Sequence, residues 1–231
     1  MPETTGSLSP TSASRFLRGV RLGMPVFLGY MPLGMAFGLM AVAAGFTVAQ
    51  ATACSALVIA GAGQYLAIRM IAAGGLATTL IAVGVVNLRY LLFSASIAPH
   101  LSGVPPWQQG LLAFTLTDET FAINAADARE GRADRFSMLG VGAISWVGWT
   151  LGTLIGSLAG SAIGDPNAWG VGFALPAMFT ALLVGQLTGK REYVAAALAA
   201  GSALALSLFV QRDWALVAAA IVAATVMTVA P

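Results

Sequence analysis

The sequence predicts an all-α protein, a polytopic transmembrane helical bundle of about eight spans, with seven as the other count and with helices broken near a candidate binding site. Three observations carry this. Only 9% of the 231 residues are charged while 58% are hydrophobic, and the mean hydropathy is +0.85. Soluble domains carry about 25% charged residues, so the chain lacks the polar surface of a dissolved globule. The apolar stretches run for about twenty residues, the length a helix needs to cross roughly 30 Å of hydrocarbon, whereas barrel strands alternate over about ten. Prolines and glycines, 10 and 27 of them, recur inside those stretches, where a lost backbone hydrogen bond must be replaced by protein or by a lined cavity.

The same figures exclude other classes. Net charge is +2 from 11 basic and 9 acidic residues, with no basic run long enough to track phosphates, so nucleic acid is not an expected partner. Cys54 is the single cysteine, which rules out a disulfide framework and a thiolate metal cluster. The motifs of metalloproteases, serine hydrolases and P-loop proteins are missing and one histidine excludes most metal sites, so neither an enzyme nor a cofactor is expected.

Residues 1–14, rich in Ser, Thr and Pro, read as a disordered tail, and 15–231 as one transmembrane domain. Arg15, Arg18 and Arg21 precede an apolar run too long for a signal-peptide core of about 7–15 residues, which is therefore read as an uncleaved first span. The spans are placed at 22–44, 48–71, 76–98, 107–126, 136–160, 171–188, 194–210 and 214–229, the last two short enough to be a hairpin or a re-entrant pair. Threading them with the N terminus inside puts Arg15, Arg18, Arg21, Arg69, Arg129, Arg132, Arg135, Lys190 and Arg191 at the cytoplasmic side and Arg212 outside. Trp107, Trp169 and Trp214 then open spans at the outer interface, and His100 closes the third span there.

Charge inside the apolar layer is the best guide to chemistry, because an ionised group there must face protein or water. The third span carries Asn87, Arg89 and Tyr90; the fourth carries Thr117, Asp118, Glu119 and Thr120. Arg89 with one acid is either a structural pair or part of a site. Adjacent acids on a helix point about 100° apart and do not both meet one arginine, so a second acid is left over. Helix breaks are expected at 29–34 around Pro32, at 61–64 beside Gln64, and at 173–176 before Pro176. Discontinuous helices are how secondary transporters present helix ends to ions. Residues 31–37 and 175–179 are faintly alike, as an inverted repeat would be. Gly148, Gly152, Gly156 and Gly160 line one helix face, which either packs within the chain or docks a separate subunit.

Gly29-Tyr30-x-Pro32-x-Gly34-x-Ala36-Phe37-Gly38, Ala60-Gly61-Ala62-Gly63-Gln64, Asn87-Leu88-Arg89-Tyr90-Leu91-Leu92 with Ala98-Pro99-His100-Leu101, Leu116-Thr117-Asp118-Glu119-Thr120-Phe121-Ala122 and Phe173-Ala174-Leu175-Pro176-Ala177-Met178-Phe179 together resemble the AzlC family, the large subunit of branched-chain amino acid exporters. Gly63 and Tyr90 depart from it, standing where the family often has Ser and His. The resemblance implies export of leucine, isoleucine, valine and sometimes methionine, a small hydrophobic AzlD-type partner, proton coupling, and a place in the bacterial cytoplasmic (inner) membrane. The alternative is a permease subunit of an ABC-type or channel-like complex.

On this reading Arg89 and backbone N–H groups after Pro32 receive the substrate carboxylate. Asp118 or Glu119 receives the ammonium or exchanges it for a proton, and Met35, Phe37 and Phe121 line an apolar pocket. The candidate substrate-binding residues are Arg89, Asn87, Gln64, Tyr30, Pro32, Asp118, Glu119, Phe121 and Pro176; Asp118 and Glu119 are the candidates for proton coupling.

Overall fold

The computed structural model describes residues 11–163, 189–209 and 212–229, with isolated residues between 173 and 187. The chain forms two compact units, 1–174 and 175–231. The first holds α1 (Ser12–Ala43), α2 (Val48–Leu57), α3 (Ala62–Gly74), α4 (Leu76–Asn87), α5 (Arg89–Ile97), a 3-10 turn Ala98–Leu101, α6 (Pro106–Phe114), α7 (Asp118–Arg129) and α8 (Arg135–Ile163). The second holds α9 (Lys190–Leu206) and α10 (Arg212–Val229), which run antiparallel with Arg191 Nη2 donating to the Met227 carbonyl at 2.7 Å.

The spine of the first unit is α1 against α8, and small residues decide it. Gly19 lies on Ser137, Gly34 on Trp149 and Thr153, and Gly38 on Thr153 and Ser157; from the other side Gly148 lies on Phe27, Gly152 on Met31 and Gly156 on Met35. Numbers rise together on both helices, so they are parallel. In lipid, association depends on close packing of this kind, and a Cβ on Gly152 or Gly156 would run into the α1 backbone. The glycine face is thus filled by α1 of the same chain, which corrects the assignment of Gly148, Gly152, Gly156 and Gly160 to subunit docking.

Two hairpins are built on this spine from opposite ends. Thr47 and Gln50 form a capping box, and α2 descends from the Ala43 end along α8 until Ser55 Oγ meets Thr153 Oγ1 at 2.8 Å. The chain turns over 58–61, where Gly61 takes φ +35°, a value that favours glycine. Then α3 climbs back, with Tyr65 Oη donating to the Leu33 carbonyl at 2.6 Å and Ile68 and Ile71 sharing a cavity with Phe37 and Phe46. Next α4 runs antiparallel to α3, bringing Asn87 back down onto Gly63.

Past Leu88, α5 continues in the same direction, now parallel to α7: Arg89 faces Asp118, Phe93 stacks on Phe121 with ring centres 4.4 Å apart, and His100 lines a cavity with Ala128 and Arg129. Since Asp127 near the end of α7 pairs with Arg18 at 2.7 Å while Glu119 at its start meets Tyr30, this end is the Arg15 end of α1. From there α6 reaches inward until Thr115 sits against Gly142, and α7 returns. Helices of 10 and 9 residues, α2 and α6, are only about 15 Å long, half the hydrocarbon depth. One pattern, a long helix followed by a half-depth hairpin, thus occurs twice with opposite direction.

Several expectations change. Among the described residues three helices are long and apolar enough to cross a membrane, Ser12–Ala43, Leu76–Leu101 and Arg135–Gly160. The five crossings predicted up to residue 160 become these three and two hairpins, because each pair of half-helices sums to the length of one span. Trp107 and His100 consequently lie at the Arg15 end rather than opposite it, and Arg69 lies on the arm of the other hairpin. Helix α1 is unbroken through Pro25 and Pro32. Each proline forfeits one amide bond, and packing on α8 along its length holds the rest. The second copy of the faint repeat, 175–179, lies mostly outside the described residues, as do Trp169 and the span at 171–188.

Candidate functional site

Three interruptions meet at one height: the 58–61 turn, Leu88 between α4 and α5, and the 115–117 link, where Thr117 is extended at φ −127° and ψ 178°. Their anchor is an aromatic core. Trp149, 1% exposed, packs edge-on to Tyr30 at 5.5 Å and to Tyr65 at 6.3 Å, with Phe37 against Tyr65 and Trp149. Trp149 Nε1 donates to Gln64 Oε1 at 2.9 Å, and Gln64 Nε2 donates to Ser55 Oγ at 3.1 Å. Both ends of the buried amide are satisfied, so the first hairpin's turn is pinned to α8.

The second hairpin's turn is pinned by a reciprocal cap. Thr117 Oγ1 accepts from the Thr120 amide at 3.3 Å while Thr120 Oγ1 accepts from the Thr117 amide at 2.8 Å. Asp118 and Glu119 therefore occupy the first turn of a helix, where the helix dipole favours negative charge. They diverge as adjacent positions must. Asp118 Oδ2 meets Arg89 Nη1 at 2.8 Å, and Glu119 Oε2 accepts from the hydroxyl of Tyr30, which also lies 2.8 Å from Thr117 Oγ1. Arg89 sits in turn 5.2 Å over the Tyr90 ring. One long helix supplies Tyr30, another supplies Asn87 and Arg89, and a hairpin tip supplies both acids.

The family model for the AzlC protein matches residues 25–163, more than half of the chain. The chain belongs to the AzlC family. The match starts within α1 and stops at the end of α8, so the AzlC segment holds both hairpins and all three interruptions. The inner membrane protein YgaZ of Escherichia coli is 33% identical over 218 residues, 90% of this chain and 88% of that protein. A membrane protein of Archaeoglobus fulgidus is 32% identical over 223 residues, 92% and 94% of the two chains. The branched-chain amino acid transport protein AzlC of Bacillus subtilis is 25% identical over 184 residues, 79% and 72% of the two. No solved structure matches. This AzlC chain is a membrane protein.

Of the residues singled out from the sequence, Tyr30, Gln64, Asn87, Arg89, Asp118 and Glu119 gather at this height. Phe121 lies one turn along α7, stacked on Phe93. Pro32 does not join them: it is exposed on α1, and because that helix is continuous the amides after it are not freed for a ligand. Pro176 is exposed, its carbonyl accepting from Thr180 Oγ1 at 2.8 Å, and belongs to the second unit. Sequence reasoning missed the Leu88 interruption and the 115–117 link. The reciprocal Thr117 and Thr120 pattern, a capping box with threonine in place of glutamate, is the signal that marks the latter.

Proposed function

We propose that the chain is a secondary transporter that exports branched-chain amino acids, leucine, isoleucine and valine with methionine or analogues beside them, across the bacterial cytoplasmic membrane with its N terminus inside. What carries the reading is the meeting of Arg89 and Asp118 beside Glu119 and Tyr30 where two opposed hairpins stop. The transport role in the name of the Bacillus subtilis relative agrees with it. With the N terminus inside, Arg15, Arg18, Arg21, Arg129, Arg132 and Arg135 all fall at the cytoplasmic face, as the positive-inside rule asks.

A zwitterion brings one carboxylate and one ammonium. Arg89 receives the carboxylate through its planar fork, and an acid at the hairpin tip receives the ammonium. Protonation of that acid removes its hold on the ammonium, so the tip carries either substrate or proton, which is antiport. Because Arg89 stands on a long helix and the acids on a hairpin, inserting a substrate between them moves one element against the other. The small AzlD-type subunit is the expected partner. Efflux of preloaded leucine from cells making Arg89→Lys, Asp118→Asn or Glu119→Gln at equal abundance is expected to fall in the first two and to lose its dependence on the proton gradient in at least one acid variant. Wild-type behaviour in all three contradicts the proposal.

A further inference from the structure

A cavity of ≈ 210 Å³ lies between the first hairpin, α1 and α4, running from Gln64 and Asn87, at the height of the paired charges, toward Phe46 at the Ala43 end. Its wall is apolar: Phe37, Cys54, Val58, Ala67, Ile71 and Val83. Its polar groups are Gln64 and Asn87. Gln64 is fully engaged by Trp149 and Ser55. Asn87 is not: its Oδ1 is buried with no hydrogen-bond partner among the described residues, and the same holds for Arg89 Nε. An acceptor and a donor, both desolvated and unused, therefore flank Leu88 at a helix interruption. Buried polar groups left in this state cost free energy that a ligand recovers.

The two orphan atoms complement the two charged groups on the α-carbon of an amino acid. Gly63 keeps the approach open, since a Cβ there would stand 3.1 Å from Asn87 Oδ1. Apolar cavities of about 150 Å³ already hold a benzene ring, so a space of ≈ 210 Å³ accepts a branched four-carbon chain. We infer that this cavity is the side-chain pocket of the transport site, with Asn87 Oδ1 at its wall accepting one further hydrogen bond from the ammonium that the hairpin-tip acid holds, Arg89, outside the wall, adding its free Nε to its grip on the carboxylate, and Ala67 and Val83 setting the length of side chain admitted. The inference rests on the transport reading above. It replaces Met35 and Phe121 as pocket residues: Met35 packs its backbone against Gly156, and Phe121 is stacked on Phe93.

Cys54, the chain's one cysteine, lines the pocket and reports on it directly. N-ethylmaleimide labelling of the purified full chain is expected to slow several-fold with saturating L-leucine and not with glycine, which carries the same charged groups and no side chain. In liposome counterflow, Ala67→Leu is expected to lower the leucine-to-alanine rate ratio about tenfold and Val83→Ala to raise uptake of longer side chains. If Ala67→Leu does not fold, Val83→Ala and the Cys54 labelling decide. Leucine transport by the wild type with unprotected Cys54 and unchanged ratios overturns the pocket and leaves the transport reading standing. No amino acid flux by the wild type overturns both.

Discussion

Arg89 opens α5 and Asp118 opens α7, and their Nη1 and Oδ2 atoms meet at 2.8 Å. The pair ties a long helix, just past its one-residue irregularity at Leu88, to the tip of a hairpin where α7 begins. Charges that are mostly withdrawn from water and paired become costly when one partner is removed. Asp118→Asn and Arg89→Gln are each expected to lower stability in detergent by about 1–3 kcal/mol, with the double variant losing less than the sum of the two. Thermal unfolding of the four proteins measures the coupling, and strict additivity contradicts it.

The glycine ridge predicts a loss without any change in charge. Gly152 and Gly156 have the Met31 and Met35 carbonyls where a Cβ would go, so Gly156→Val forces α1 and α8 apart. Overpacking of this kind costs about 1–3 kcal/mol. Gly29→Val, at a position with open space around it, is the control. Equal folded yields of the two variants contradict the ridge.

At the Arg15 end, Asp127 joins Arg18 at 2.7 Å and Arg132 at 3.2 Å. Burial opposes ionisation of Asp127, but the hydrogen bond and charge of Arg18, with Arg132 behind it, outweigh this and hold its carboxyl below the usual carboxylate range. A depressed folded value means stability that is fully present above the ordinary carboxylate value of about 3.9 and is lost as pH falls through the lower folded value. Melting temperature is therefore expected to drop more steeply below about pH 4 in the wild type than in Asp127→Asn. Parallel curves count against the clamp.

The hairpins make a topological prediction. In a Cys54→Ser background, cysteines at the exposed positions Ser102 and Glu130 are expected to react with a membrane-impermeant maleimide from the same side, and one at Ala44 from the other. Labelling of Ser102→Cys and Glu130→Cys from opposite sides removes the α6 and α7 hairpin.

Much of the site was legible because charge in an apolar stretch is conspicuous, and the divergence of Asp118 and Glu119 follows from helical geometry alone. The helix at 136–160 and its glycine face were legible for similar reasons. The hairpins were not. Hydropathy adds α2 to α3 and α6 to α7 and returns a span each time, and the 115–117 link contains neither proline nor glycine. Pro32 misled in the other direction, since its effect on α1 depends on how α8 holds the helix on both sides of it. Positive charge fits five crossings and three crossings with two hairpins almost equally well, because Arg69 on α3 is one residue against many.

Counterflow of labelled L-leucine into liposomes holding the purified full chain, with the AzlD-type subunit present and absent, decides whether the acid at the hairpin tip takes part in transport when the wild type is run beside Asp118→Asn. Leucine-driven accumulation is expected of the wild type in at least one of the two conditions, and background uptake of Asp118→Asn at equal incorporation. Equal uptake by both proteins, or no uptake by the wild type in either condition, contradicts a transport role for Asp118.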